Sequence, residues 1–245
     1  MDTMYQPRTY RHWVKDSDLI SFNVMVKETD LYIRASSDLH RKAHKLVLKY
    51  RNILEEYITR NPAFLTSLEP ITVGEDAPHI VKEMARATGR VRVGPMAAVA
   101  GAIAEFVGNE LLFFSPEVIV ENGGDIFLKS SKKRMIGIYA GKSPLTGRIG
   151  MEINGEDTPL GICTSSGTVG HSLSYGRADA VIVLSPSATL ADAAATAIGN
   201  LIAQPDDIPN GIEMAKSIEG LRGIVIIKDD KMGLCGEVKI CQISE

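Results

Sequence analysis

The sequence predicts an α+β fold, in which alanine-rich helices cover antiparallel sheet, and three observations carry that prediction. Apolar strand patterns follow one another without helices between them, which favours antiparallel pairing over the crossovers of a doubly wound sheet. Two helical stretches, "GPMAAVAGAIAEFVG" and "LADAAATAIGNLI", are rich in alanine, and small side chains let a helix lie close to a sheet or to another helix. No Pro-, Gly- or Ser-rich linker divides the chain, so residues 1–245 are expected to form a single domain, and a 44% hydrophobic content is ample for its core.

Taken in order, "LISFNVMVKETDLYIRA" alternates, with Phe22, Val24 and Val26 on one side, and reads as a hairpin turning at Lys27 to Asp30. Next, Leu39, Ala43, Leu46, Val47, Tyr50, Ile53, Leu54 and Tyr57 recur at helical spacing, with Ser36 or Ser37 to cap the start and Pro62 beyond the end. A second helix is expected from Pro78 to Thr88, stopped by Gly89. The first alanine-rich helix then leads into "EVIVENGGDIFLKS", and "RMIGIYAG", "GRIGMEING", "PLGICTSS" and "ADAVIVLS" are further strands. The second alanine-rich helix and "GIEMAKSIEG" precede the strand "LRGIVIIKDD". Helix, strand, turn, strand thus occurs at Pro95 to Leu128 and again at Pro186 to Leu234, which suggests an internal duplication.

Charge and targeting signals bound the function. With 27 basic and 30 acidic residues the net charge is −3, which gives no long-range field for nucleic acid. No apolar run is long enough to span a membrane, and the start lacks the pattern of a signal peptide, so no membrane partner and a cytoplasmic location are expected. Cys163, Cys235 and Cys241 match no zinc spacing and are too few for a disulfide framework.

Five short features bear on chemistry. Asp192 and Thr196, four apart, share one helix face and offer two hard oxygen ligands for magnesium; equally, Asp192 suits a helix dipole and Thr196 can bond to a main-chain carbonyl. Thr164, Ser165, Ser166 and Gly167 follow a strand end and can aim amides and hydroxyls at a phosphate, or simply turn the chain. Asn122, Gly123, Gly124 and Asp125 can close a hairpin, while the double glycine also admits a planar ligand close to the backbone. His171 stands in a polar, glycine-flanked stretch and is a candidate general base. Cys163 precedes the polar loop and is either a reactive thiol or an inert core residue.

In their order along the chain, "ENGGDIF", "CTSSGT" and "ADAAATAIGN" resemble the core of the ApbE-type FAD:protein FMN transferases, and the chain is most similar to the short ApbE-like family of archaea and anaerobic bacteria. The resemblance runs from about Val91 to Asn200. It implies an ApbE-like fold, magnesium held by Asp192 and Thr196, and a flavin dinucleotide lined by Asn122 to Asp125 and Thr164 to Gly167. Two departures stand out. The Lys-Gly pair of those transferases is Ala100-Gly101 here, and "TVGHSLSYGRADAV" returns at once to a strand where they carry a longer continuation.

Three functions follow. The first is a magnesium-dependent FAD or FMN binding protein, with FMN transfer to an acceptor protein as its chemistry. The second, also implied by the resemblance, is a role in sulfur assimilation or homocysteine formation that uses Cys163 as a thiol carrier. The third is a binding module without catalysis.

Overall fold

The computed structural model describes residues 18–168 and 175–243. β1 (Ile20–Val26) and β2 (Thr29–Ala35) form the expected hairpin, with Lys27 in the left-handed region at φ 52° in the tight turn. α1 (His40–Arg60) buries Ala43, Val47, Tyr50 and Leu54 on the expected face. Its start differs from expectation: Asp38 Oδ1 accepts from the His40 N–H (2.9 Å), and the Ser36 N–H is drawn instead to Ser115 Oγ (3.0 Å). After the single turn α2 (Ala63–Thr66), α3 (His79–Val91) runs straight through Gly89. The apolar face Ile80, Met84, Ala87, Val91 continues past that glycine, and the helix stops where Arg92 turns left-handed at φ 58°.

A 3-10 turn at Pro95–Ala98 leads into α4 (Val99–Leu111), followed by the hairpin β3 (Val118–Asn122) and β4 (Asp125–Lys129). Then come β5 (Arg134–Gly137), β6 (Ile149–Ile153), β7 (Leu160–Ser165), β8 (Ala180–Ser185), α5 (Ala188–Gly199), α6 (Ile208–Ser217), β9 (Gly223–Lys228), β10 (Lys231–Gly236) and β11 (Ile240–Gln242). An eight-stranded sheet has the order β1-β2-β3-β4-β7-β8-β9-β10, and a three-stranded sheet the order β11-β6-β5; every pairing is antiparallel.

The large sheet is covered on both faces, which is why its central strands read as unbroken apolar runs. Val118, Val120, Phe127, Val181, Val183, Ile224 and Ile226 meet the helices, while the intervening Ile119, Leu128, Ile182, Leu184, Val225 and Ile227 meet the small sheet. Both alanine-rich helices do lie close to their neighbours. A side chain on Gly161 of β7 would collide with Ala188 of α5, its Cβ 2.3 Å from Ala188 Cα. The suggested duplication is modified by the topology: α4 covers the hairpin that follows it, but α5 rests on β7 and β8, and α6 covers the hairpin β9–β10. No single helix among the described residues is long and apolar enough to cross a membrane.

Candidate functional site

The N-terminal turns of α4 and α5 cross beside the β3–β4 turn, and three of the features singled out in the sequence meet there. Asn122 pairs with Asp125 across the turn, and Gly123 and Gly124 carry φ of 69° and 108°, the left-handed pair that a two-residue hairpin needs. The Gly124 N–H donates to Glu121 Oε1 (2.9 Å). Asn122 Nδ2 donates to the Ala100 carbonyl (3.1 Å) and ties the turn to the start of α4. Asp125, on the helix-facing side of β4, is buried and accepts from the Thr164 N–H (3.2 Å).

On α5 every residue from Ala188 to Gly199 is buried except Asp192 and Thr196, which with Asn200 form one stripe at spacings of four. Asp192 Oδ2 accepts from the Gly101 N–H (2.8 Å) at the N-terminus of α4. Glu105 of α4 returns the arrangement: its Oε2 accepts from the Thr189 N–H (2.8 Å), Thr189 Oγ1 (2.8 Å) and Ser187 Oγ (3.0 Å) at the N-terminus of α5. Each helix thus supplies the carboxylate that satisfies the orphan donors of the other. The crossing is tight because residue 101 is glycine. A Cβ there would stand 2.3 Å from Ala188 O and 2.7 Å from Asp192 Cβ.

Burial raises Asp125 well above the ordinary carboxylate range, and the charge of Asp192 adds to the rise. Burial also lifts Asp192, to about 7, against the N–H groups of Gly101 and Ala100, which favour its ionised form. Two carboxylates from different elements therefore share a poorly solvated space, where a proton or a cation must balance them. With the Thr196 hydroxyl one turn along, the donors are hard oxygens suited to magnesium. Among the described residues no group of three or more His, Cys, Asp or Glu forms a metal cage, so water or ligand oxygens would have to complete the coordination.

The second wall is the end of β7 with the loop that follows: Thr164 and Ser165, expected just beyond a strand end, are still paired with Ile182 and Val181 of β8, and the loop starts at Ser166. Gly199 of α5 packs beside Ser165, with 3.5 Å from the position of a Cβ to Ser165 Oγ. The Gly167 N–H donates to the Ala178 carbonyl (2.9 Å) and the Thr168 N–H to Ser166 Oγ (3.1 Å). Buried Asp179 fixes the loop end, accepting from Thr168 Oγ1 (3.1 Å) and from the Asp229 N–H (2.7 Å). Gly167 lies against the Gly176 carbonyl and Gly176 against that of Gly199, where a Cβ would fall within 2.0 Å and 1.8 Å. Asn122 to Asp125 and Thr164 therefore meet the Asp192 end of α5, while Ser165 and Gly167 lie along its Gly199 end, with Thr196 on the helix between them.

His171 lies outside the described residues. Cys163 does not have the setting of a reactive thiol: it is fully buried between β7 and α5, its Sγ donates to the Ala188 carbonyl (3.3 Å), and burial, helped by Asp125 and Asp192, pushes the thiol well above its usual range. Poor solvation and two nearby carboxylates oppose the thiolate that a carrier or nucleophile needs. Sequence reading misses Glu105, Gly101 and Asp179. Glu105 and Asp179 sit 84 and 11 residues from the groups they hold, and no local pattern marks either. The glycine at the start of an alanine helix is a visible sign of close approach.

A family model described as AbpE bacteria matches residues 11–219. The UPF0280 protein of Methanocaldococcus jannaschii is 45% identical over 221 residues, covering 88% of this chain and 90% of its own. That of Methanopyrus kandleri is 43% identical over 225 residues, covering 89% and 91%. Among solved structures, the ApbE protein of Thermotoga maritima superposes with a TM-score of 0.60 at 14% identity, covering 89% of this chain and 97% of that one. The flavin transferase ApbE of Vibrio cholerae gives 0.56 at 16% identity, covering 89% and 96%. At such identities the likeness establishes the fold.

Proposed function

This chain belongs to the family described as AbpE bacteria, and on that premise we propose that it is a magnesium-dependent flavin-nucleotide binding protein with transferase-like chemistry, moving FMN from FAD to an acceptor protein. The observation that carries the reading is the meeting of Asp125 and Asp192, from different elements, one helical turn from Thr196 and beside Thr164 of β7. The names of the structural neighbours as flavin transferases support the ligand class.

In this reading Asp192 and Thr196 hold the metal, and Asp125 faces it from the sheet. Gly101 orients Asp192 through its N–H (2.8 Å), so the carboxylate is placed before any ligand arrives. The Thr164 and Ser165 hydroxyls offer donors to the nucleotide, beside the glycine turn Asn122 to Asp125, whose main-chain and amide donors, like those of Thr164 and Gly167, are largely held within the protein. Magnesium would offset charge developing on a pyrophosphate as its P–O bond breaks. Ala100, at the place of the lysine of the transferases, contributes its carbonyl to Asn122, so that position serves the turn. The sulfur reading loses its carrier, because Cys163 is buried.

Thermal unfolding with FAD, with and without magnesium, in wild type and Asp192→Ala tests the proposal. A site filled to about one hundred times its dissociation constant adds about 2.7 kcal/mol, or about 5 to 10 °C for a chain of this size. The shift should require both magnesium and Asp192. A shift that survives Asp192→Ala removes the metal role, and no shift in any condition favours the module without catalysis.

A further inference from the structure

The end of α4 opposite the site presents two consecutive phenylalanines to solvent. Phe113 is 85% exposed and Phe114 53%, whereas Phe64 and Phe127 are fully buried. Alongside runs the first half of α1. From His40 to Arg51 it carries Arg41, Lys42, Lys45, Lys49 and Arg51 and no acidic residue. Lys42 Nζ lies 3.8 Å from the centre of the Phe114 ring, and Lys49 Nζ 2.5 Å from Glu110 Oε1 near the end of α4. These two contacts fix the face that bears Lys42, Lys45 and Lys49 beside the aromatic corner. Arg51 is turned inward to Glu28 and Glu55, and Glu110 is spent on Lys49 and Tyr50. Arg41, Lys42 and Lys45 remain as exposed cations on a chain whose net charge is −3.

We propose that the protein docks reversibly on an anionic lipid surface through Phe113, Phe114 and the basic first half of α1. The two halves of the patch ask for different surroundings, and a bilayer surface supplies both: anionic headgroups for the cations and an interfacial layer for aromatic rings that protrude beyond them. A nucleic acid would meet the cations but leave Phe113 in water, because a single protruding tip offers no groove along which bases could stack. The geometry also suits the site. Gly101, at the site, lies about 15 Å from Leu111 along the axis of α4, so a docked molecule keeps its site in water. Surface contact of this kind would revise the composition-based expectation of no membrane partner.

The full chain is sedimented with vesicles of phosphatidylcholine containing about one-third phosphatidylglycerol, and with vesicles of phosphatidylcholine alone. Wild type should partition to the anionic vesicles only and be released by about 0.5 M salt. Phe113→Ser should bind about ten-fold more weakly. Arg41→Gln with Lys45→Gln should lose about twenty-five-fold, five-fold for each charge. All of these residues are exposed, and unchanged melting temperatures confirm that the variants fold. The proposal is overturned by wild type that stays in solution with anionic vesicles, by equal partition to neutral ones, or by variants that bind as wild type does. Binding to duplex DNA that is indifferent to Phe113→Ser, without vesicle binding, would assign the patch to a polyanion instead.

Discussion

Replacing Gly101 by alanine sets two physical effects against each other, and the structure decides between them. Inside a helix, glycine to alanine ordinarily gains about 1 kcal/mol, because alanine has less backbone freedom to lose. At position 101 the new Cβ would sit 2.3 Å from Ala188 O, 2.7 Å from Asp192 Cβ and 2.9 Å from Ala188 C. Two of those three are main-chain atoms of a helix packed on β7, so they cannot swing away. α4 and α5 must therefore separate by about 1 Å, which lengthens the Gly101 N–H to Asp192 bond and the Thr189 N–H to Glu105 bond, both 2.8 Å now. Overpacking costs about 1 to 3 kcal/mol, and each weakened bond to a carboxylate adds a share of its roughly 1.5 to 3 kcal/mol. The net expectation is a loss of about 3 kcal/mol. Gly89 in α3 is the control: it is exposed, nothing lies within 4 Å of its missing Cβ, and Gly89→Ala should gain up to about 1 kcal/mol. Urea unfolding of both variants by linear extrapolation measures the difference. A Gly101→Ala protein as stable as wild type, or a Gly89→Ala protein that loses as much, would refute the close helix crossing on which the site depends.

Two further outcomes follow from the buried polar groups. Burial would raise Glu117, yet Ser130 Oγ (2.6 Å), Ser131 Oγ (2.6 Å) and Arg134 Nη2 (2.5 Å) hold its carboxyl down to about 2. Because the folded value lies below the ordinary 4.5, its contribution of about 3 kcal/mol is complete above pH 4.5 and disappears as pH falls toward 2; urea midpoints for wild type and Glu117→Gln should converge over that interval, and parallel curves would contradict it. Timed alkylation of the folded protein at neutral pH should modify the half-buried Cys235 and Cys241 and spare Cys163 until urea is added, so rapid labelling of all three thiols would reopen the thiol-carrier reading.

Burial of the large sheet on both faces was not legible, because the small sheet that covers its second face joins β5 and β6 to the distant β11; the strands themselves were, because alternation and unbroken apolar runs are local patterns. Asp192 and Thr196 were legible for the same reason: a spacing of four fixes a shared helix face without any tertiary knowledge. What stayed hidden is whatever depends on a distant partner. Ser36 looks like a cap, but Ser115 takes its N–H from 79 residues away. Gly89 looks like a stop, but the apolar face of α3 carries the helix on to Val91. Asp125 reads as the end of a hairpin turn, and only the packing of α5 against β7 brings Asp192 near enough to raise it. Cys163 illustrates a choice that position alone left open. The strand end that made it a candidate proved to be covered by α5.

The exchange of carboxylates between α4 and α5 bears on how the molecule assembles. Ser187 caps α5 locally by accepting from the Leu190 N–H, but the carboxylates that complete the two helix starts, Asp192 and Glu105, come from 91 and 84 residues away. Formation of one pair positions the other, so the two helix starts should lock in a single cooperative step late in folding, after the long intervening chain has closed. Hydrogen exchange offers a direct reading: the amides of Gly101 and Thr189 should open with the same free energy, and unequal protection would show the two pairs to be independent. A ligand site built on that crossing has no partial form. It comes into being with the native topology and is lost with it.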